Sequence, residues 1–220
     1  ALGICRTTEE TPANKKDKTW GLIEAEILRS DGTPLGDARA RSIRQKFGDN
    51  ITSLEGKSMV VLSSGIASDK TQTTPGPNDG LSTSHTPSSS VNISSCTSAK
   101  CIKDWYSTAN GTLKGANQFP QAPACGTPGG GNANDSVMLR LRLRAPSNAR
   151  SFSFNSYFFS AEYPEYVCTG YNDQFVALVD TPSGTPQPIA NPVDKNLMTY
   201  IDLSTNQKWP VGINIAKGTN

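Results

Sequence analysis

The chain has 220 residues, 21 Lys and Arg against 19 Asp and Glu, and a formal net charge of +2. That length suits a single β-type domain with its own core, and at 18% charged residues the chain is neither a coiled coil nor a charge-driven disordered protein. The balanced charge gives no global reason to expect nucleic acid, and no apolar run approaches the roughly 18–20 residues of a membrane span.

Residues 19–30 are the first candidate element. Ile23, Ala25 and Ile27 alternate with polar residues, which favours a strand over a helix, and Asp31-Gly32-Thr33-Pro34 ends it as a turn. Residues 58–63 form a second, short apolar strand.

Residues 66–136 have a different character. Thr71 to Pro77, Ser82 to Ser95 and Gly126 to Gly131 are small, polar and turn-prone, with few large apolar side chains between them. A stretch this long without periodicity reads as an irregular insertion. Cys96, Cys101 and Cys125 lie in it, and cross-links are most useful where no core can form. At least one disulfide is therefore expected among these three, with Trp105 and Tyr106 as further anchors. The five cysteines, with Cys5 and Cys168, contain no C-x-x-C pair, and the one histidine, His85, sits in a Ser/Thr/Pro stretch. That inventory argues against a Cys/His zinc site, and an oxidising, extracellular compartment is expected.

Regular structure resumes at Val137. Val137, Leu139, Leu141 and Leu143 alternate with Met138, Arg140, Arg142 and Arg144, as in a strand with one wet face. Such an arginine row either meets acids on neighbouring strands or presents a polyanion site. Ala145 to Asn148 makes a turn. Phe152, Phe154 and Phe158 then share one face and Tyr157 and Phe159 the other, which predicts a central strand over Phe152–Ser160, covered on both sides. Residues 174–179, Leu197–Leu203 and Val211–Ile215 complete the set. Short strands separated by turns predict an all-β, antiparallel β-sandwich: one domain over 1–220, with residues 66–136 as a disulfide-tied insertion.

Glu162, Glu165, Asn172 and Asp173 place four oxygen-bearing side chains between two predicted strands. A hard cation such as Ca²⁺ takes six to eight oxygens at about 2.3–2.6 Å, and this set is the candidate for it. The alternative is that Asn172 and Asp173 bond backbone amides in a turn while the glutamates face solvent. Tyr163, Tyr166 and Tyr171 are the candidate ligand residues, because tyrosines on a sandwich rim can stack on sugars. Glu162, Glu165 and Asp173 would serve a glycan hydrolase, but two glutamates three residues apart are poorly suited to flank a scissile bond. With His85 alone, and neither G-x-S-x-G nor a P-loop, no catalytic residue is assigned and an enzyme is not expected.

Ser151 to Val179 reads SFSFNSYFFSAEYPEYVCTGYNDQFVALV. It resembles the signature of the bacterial choice-of-anchor L domain family in Ser160, Glu162, Tyr163, Pro164, Glu165, Tyr166, Asn172, Asp173 and Phe175. The wider chain is similar to a myxobacterial-type subgroup of such surface proteins in Ala1 to Cys5, Trp20-Gly21 and Trp209 to Asn214. The resemblance implies a secreted or cell-surface bacterial β-domain without enzymatic activity, structural or adhesive, that continues into further strands which this chain lacks. The expected partner is then a strand from another copy or from the protein's own C-terminal part, with self-association into fibres or lattices. A surface glycan is the alternative partner.

Overall fold

The computed structural model describes residues 4, 6–47, 51–53, 56–67, 90–102, 125, 132–169, 171, 173–180, 196–204 and 206–215. In chain order the strands are β1 (Gly21–Leu28), β2 (Arg41–Arg44), β3 (Lys46–Phe47), β4 (Ile51–Thr52), β5 (Met59–Leu62), β6 (Ser90–Asn92), β7 (Asn132–Asn134), β8 (Met138–Arg144), β9 (Gln174–Phe175), β10 (Thr199–Asp202) and β11 (Gln207–Gly212). They form small sheets, ordered β1-β8, β2-β5, β3-β4, β6-β7 and β10-β11-β9. Two disulfides join Cys96 to Cys101 and Cys125 to Cys168. The described residues fall into two compact units, one within Ala1–Val91 and Asn134–Ser156, the other within Asn92–Ala133 and Tyr157–Asn220.

The first unit is built on the antiparallel β1–β8 pair. Ala25, Ile27, Leu139 and Leu141 occupy alternate positions, as predicted for strands with one dry face. Glu24 faces Arg142 and Glu26 faces Arg140 in the register, so the wet face carries opposite charges side by side. The register shifts between Leu22 and Glu24, which makes Ile23 a bulge residue. Leu143, expected on the dry face, is exposed near the end of the ladder, opposite Leu22. The turn after β1 forms as predicted: Asp31 Oδ1 accepts from the Thr33 amide at 2.9 Å and from its hydroxyl at 2.6 Å.

β2 and β5 pair antiparallel from Arg41–Leu62 to Arg44–Met59. Beside them lies a polar knot that the sequence pattern does not reveal. Arg44 is only 1% exposed. Its Nε donates to Ser42 Oγ at 3.1 Å and its Nη2 to the Ala67 carbonyl at 2.6 Å, while Ser42 Oγ donates to the same carbonyl at 3.1 Å. A buried guanidinium persists only when its donors are satisfied in this way.

In the second unit β11 lies between β10 and β9, antiparallel to both. The predicted strand over residues 174–179 pairs only at Gln174–Phe175, with an isolated bridge from Leu178 to Asn196. Ile93, Cys125 and Ile213 are the buried apolar side chains among its described residues. The insertion is therefore less coreless than its composition suggests. Val91 and Ile93 are both buried, and the pair Cys96–Cys101 gives the disulfide expected there. Trp105 and Tyr106 lie outside the described residues, as do Cys5 and His85.

The predicted central strand over Phe152–Ser160 is corrected. Residues 151–160 carry no regular secondary structure, and Phe152, Phe154, Tyr157, Phe158 and Phe159 are all exposed. No β-ladder among the described residues includes this stretch, which reaches β9 through the stacking of Phe158 on Phe175. The period-2 pattern survives locally: Phe152 stacks on Phe154 and Tyr157 on Phe159, each pair 6.4 Å between centroids.

Candidate functional site

Glu162, Tyr163, Glu165 and Tyr166 share one turn of the second unit, to which Asp173 is hydrogen-bonded. Tyr166 N donates to the Glu162 carbonyl at 2.9 Å and Thr169 N to the Tyr166 carbonyl at 3.0 Å, which folds Glu162–Thr169 on itself. The peptide bond between Tyr163 and Pro164 is cis. Ser160 opens the turn: its Oγ accepts from the Glu162 amide at 3.1 Å and donates to Asp173 Oδ2 at 2.8 Å. Glu162 Oε2 accepts in return from the Asp173 amide at 3.3 Å. The far end is held by the side chain of Asn214, 2% exposed, whose Oδ1 accepts from the Cys168 amide at 2.7 Å. Cys168 itself has a positive φ of 64° and is bonded to Cys125.

Glu162 and Asp173 are therefore brought together, and the carboxyl of Glu162 is held above its ordinary range. Burial is the larger cause and the negative charge of Asp173 the second, against a smaller opposing effect of the Asp173 amide. Glu165 lies exposed on the same turn, and Asn172 falls outside the described residues. Among the described residues no group of three acidic, Cys or His side chains gathers as a metal site would.

The three candidate ligand tyrosines face solvent, Tyr163 at 60%, Tyr166 at 46% and Tyr171 at 65% exposure. Tyr166 and Tyr171 meet edge to face with centroids 5.4 Å apart. Behind them Phe158 stacks on Phe175 at 6.3 Å, which ties the aromatic segment to β9.

The arginine row of β8 divides. Arg140 Nη1 bonds Glu24 at 2.6 Å and Glu26 at 2.8 Å, and Arg142 pairs with Glu10. These two are neutralised by acids of the same unit. Arg144 instead donates to neutral oxygens: to Thr8 Oγ1 at 3.0 Å, to the Thr19 carbonyl at 3.1 Å and to the Glu10 carbonyl at 2.6 Å.

Arg144 lines a cleft of about 660 Å³ with Arg6, Lys18, Thr19, Trp20 and residues 145–148. Trp20 falls in the predicted strand over residues 19–30, and no sequence pattern connects it with Arg6 and Lys18, which lie up to fourteen positions away. Gly21 makes the connection. Its φ is 148°, and a Cβ there would come within 2.7 Å of the Arg6 carbonyl. That carbonyl accepts from Leu22 N at 2.8 Å and Thr8 N donates to the Leu22 carbonyl at 2.9 Å, so residues 6–8 lie against the start of β1. The Arg6 guanidinium comes to rest over the Trp20 ring, 5.6 Å from its centroid.

No family model, curated protein or solved structure matches this chain. Among the described residues no helix is long and apolar enough to cross a membrane.

Proposed function

We propose that this chain is a non-enzymatic, extracellular domain of a bacterial cell surface, of the choice-of-anchor L type, with a structural or adhesive role. In this reading its small sheets are parts of a β-sandwich. The observation that carries it is the aromatic surface of the second unit, where Tyr157, Phe158, Phe159, Tyr163, Tyr166 and Tyr171 are all more than a third exposed. Two ring pairs within this set, Tyr157–Phe159 and Tyr166–Tyr171, are themselves in contact, and exposed aromatic surface is a feature of contact sites. The two disulfides suit an oxidising compartment. A strand from a second copy is the partner proposed for residues 157–160, whose aromatic side chains are exposed. Sedimentation of the full chain over a wide concentration range tests this. Self-association that weakens in Tyr157→Ser/Phe159→Ser supports it, and a monomer at every concentration overturns it.

A second reading is favoured by the exposure of Tyr163, Tyr166 and Tyr171 on a turn held at both ends. Here the turn binds a surface glycan by ring stacking. Ca²⁺ between Glu162 and Asp173, with Glu165 and Asn172 completing the shell, would relieve the repulsion that raises Glu162. Glycan-array binding that disappears in Tyr163→Ala is the expected result for this reading.

A further inference from the structure

We infer that the cleft between Trp20 and the end of β8 is a binding site for an acidic sugar, a uronate unit of a polysaccharide. The inference concerns the first unit and is independent of how the aromatic turn is used.

Three cations line the cleft, Arg6, Lys18 and Arg144. Among the described residues none of them makes a salt bridge, in contrast to Arg140 and Arg142 on the same sheet; Arg144 acts on the Glu10 carboxylate only through its charge, while Glu10 bonds Arg142. Lys18 is exposed, and its ammonium has no hydrogen-bond or ion-pair partner among the described residues. Arg144 is the opposite case. Three hydrogen bonds to Thr8, Thr19 and Glu10 oxygens hold its guanidinium in place without cancelling its charge. Cations gathered beside a guanidinium held by neutral oxygens are an arrangement that receives an anion, and carboxylates accept charge-assisted hydrogen bonds from guanidinium groups in particular.

The aromatic component selects among anions. Trp20 remains 45% exposed although Arg6 lies over its ring. An exposed indole beside polar side chains suits a ligand with one apolar ring face and hydrogen-bonding edges. Thr19, Ser147 and Asn148 supply the hydroxyls and the amide for such edges. Inorganic phosphate would leave the indole unused. Single-stranded nucleic acid stacks successive bases on several aromatic platforms, and this cleft has one. A pyranose carrying a carboxylate uses both the ring and the cations. The volume of about 660 Å³ lies in the range of sites for small ligands.

Calorimetric titration of the full chain with an oligogalacturonate tests the assignment, with its fully methyl-esterified form and a single-stranded oligodeoxynucleotide as comparators. The acidic oligomer should bind, with affinity falling as salt rises. The ester should bind about tenfold more weakly or worse, as loss of a charge-assisted contact implies. Trp20→Ala should weaken binding of the acidic oligomer. Lys18→Gln should do so as well, and because the Lys18 side chain has no hydrogen-bond or ion-pair partner among the described residues, its result does not depend on whether the tryptophan variant folds. No binding of the oligogalacturonate, equal binding of the ester, affinity unchanged in Lys18→Gln, or displacement by the oligodeoxynucleotide would each overturn the assignment.

Discussion

Glu162 illustrates how a single side chain can report on its site. Its carboxyl is raised by burial and by Asp173, so the folded state holds its proton more tightly than the unfolded chain does. Folding is then favoured while the group is protonated, and its contribution is lost as pH rises from the unfolded value through the folded one. Glu162→Gln removes the ionisation yet keeps an oxygen able to accept the Asp173 amide. The variant should match wild type in acid and exceed it in melting temperature at neutral pH, in chelator. If Ca²⁺ occupies the pair, added calcium should reverse that order, since a ligand bound only by the native state stabilises it. Arg44 makes the complementary case. Its burial was not legible in the sequence, where Arg41, Ser42, Ile43 and Arg44 read as a polar segment with one apolar residue. Arg44→Ala leaves a cavity and strips the Ala67 carbonyl of its closest donor, and denaturant titration should show a loss of about 2–4 kcal/mol.

Among the elements, β1 and β8 were legible because alternation over seven or eight residues specifies a face, and facing acids and arginines then agree on a register. The segment after Ala149 shows the limit of the same signal. Alternating aromatics say which rings share a side, and the stacked pairs honour that, but a pattern internal to a segment cannot say whether a partner strand exists. The turn at Ser160–Asp173 was legible in part. Glu162 and Asp173 do meet, whereas the roles of Ser160 and Asn214 as hydrogen-bonding anchors depend on contacts that no spacing displays. Gly21 belongs to this scale too, since it joins two segments that the sequence keeps apart. In Gly21→Ala the new methyl would meet the Arg6 carbonyl in a backbone conformation already unfavourable for an L side chain. A destabilisation of about 1–3 kcal/mol is expected from the backbone conformation alone. Hydrogen exchange should show the loss at the amides of Leu22 and Thr8, which bridge the two segments.

At the scale of the molecule, the two disulfides are unevenly distributed. Cys96, Cys101, Cys125 and Cys168 all belong to the second unit, whose buried apolar side chains among the described residues are Ile93, Cys125 and Ile213. Cross-links stabilise this unit by restricting its unfolded chain, whereas the described part of the first unit has the seven-residue ladder of β1 with β8 and the Arg44 knot. The bond from Cys125 to Cys168 spans 43 residues and the one from Cys96 to Cys101 spans five. Restricting the unfolded chain over the longer loop is worth about 4 kcal/mol, and over the shorter about 2 kcal/mol. Cys125→Ser/Cys168→Ser should therefore destabilise the protein more than Cys96→Ser/Cys101→Ser. The effect should also be local. Hydrogen exchange in the Cys125/Cys168 variant should rise across β9, β10 and β11 and at the Cys168 amide, which would lose its hold on Asn214. The β1 and β8 amides should keep their wild-type protection. Loss of protection in both units at once would show that their stability is shared, and would remove the case for treating the second unit as the part that its disulfides hold together.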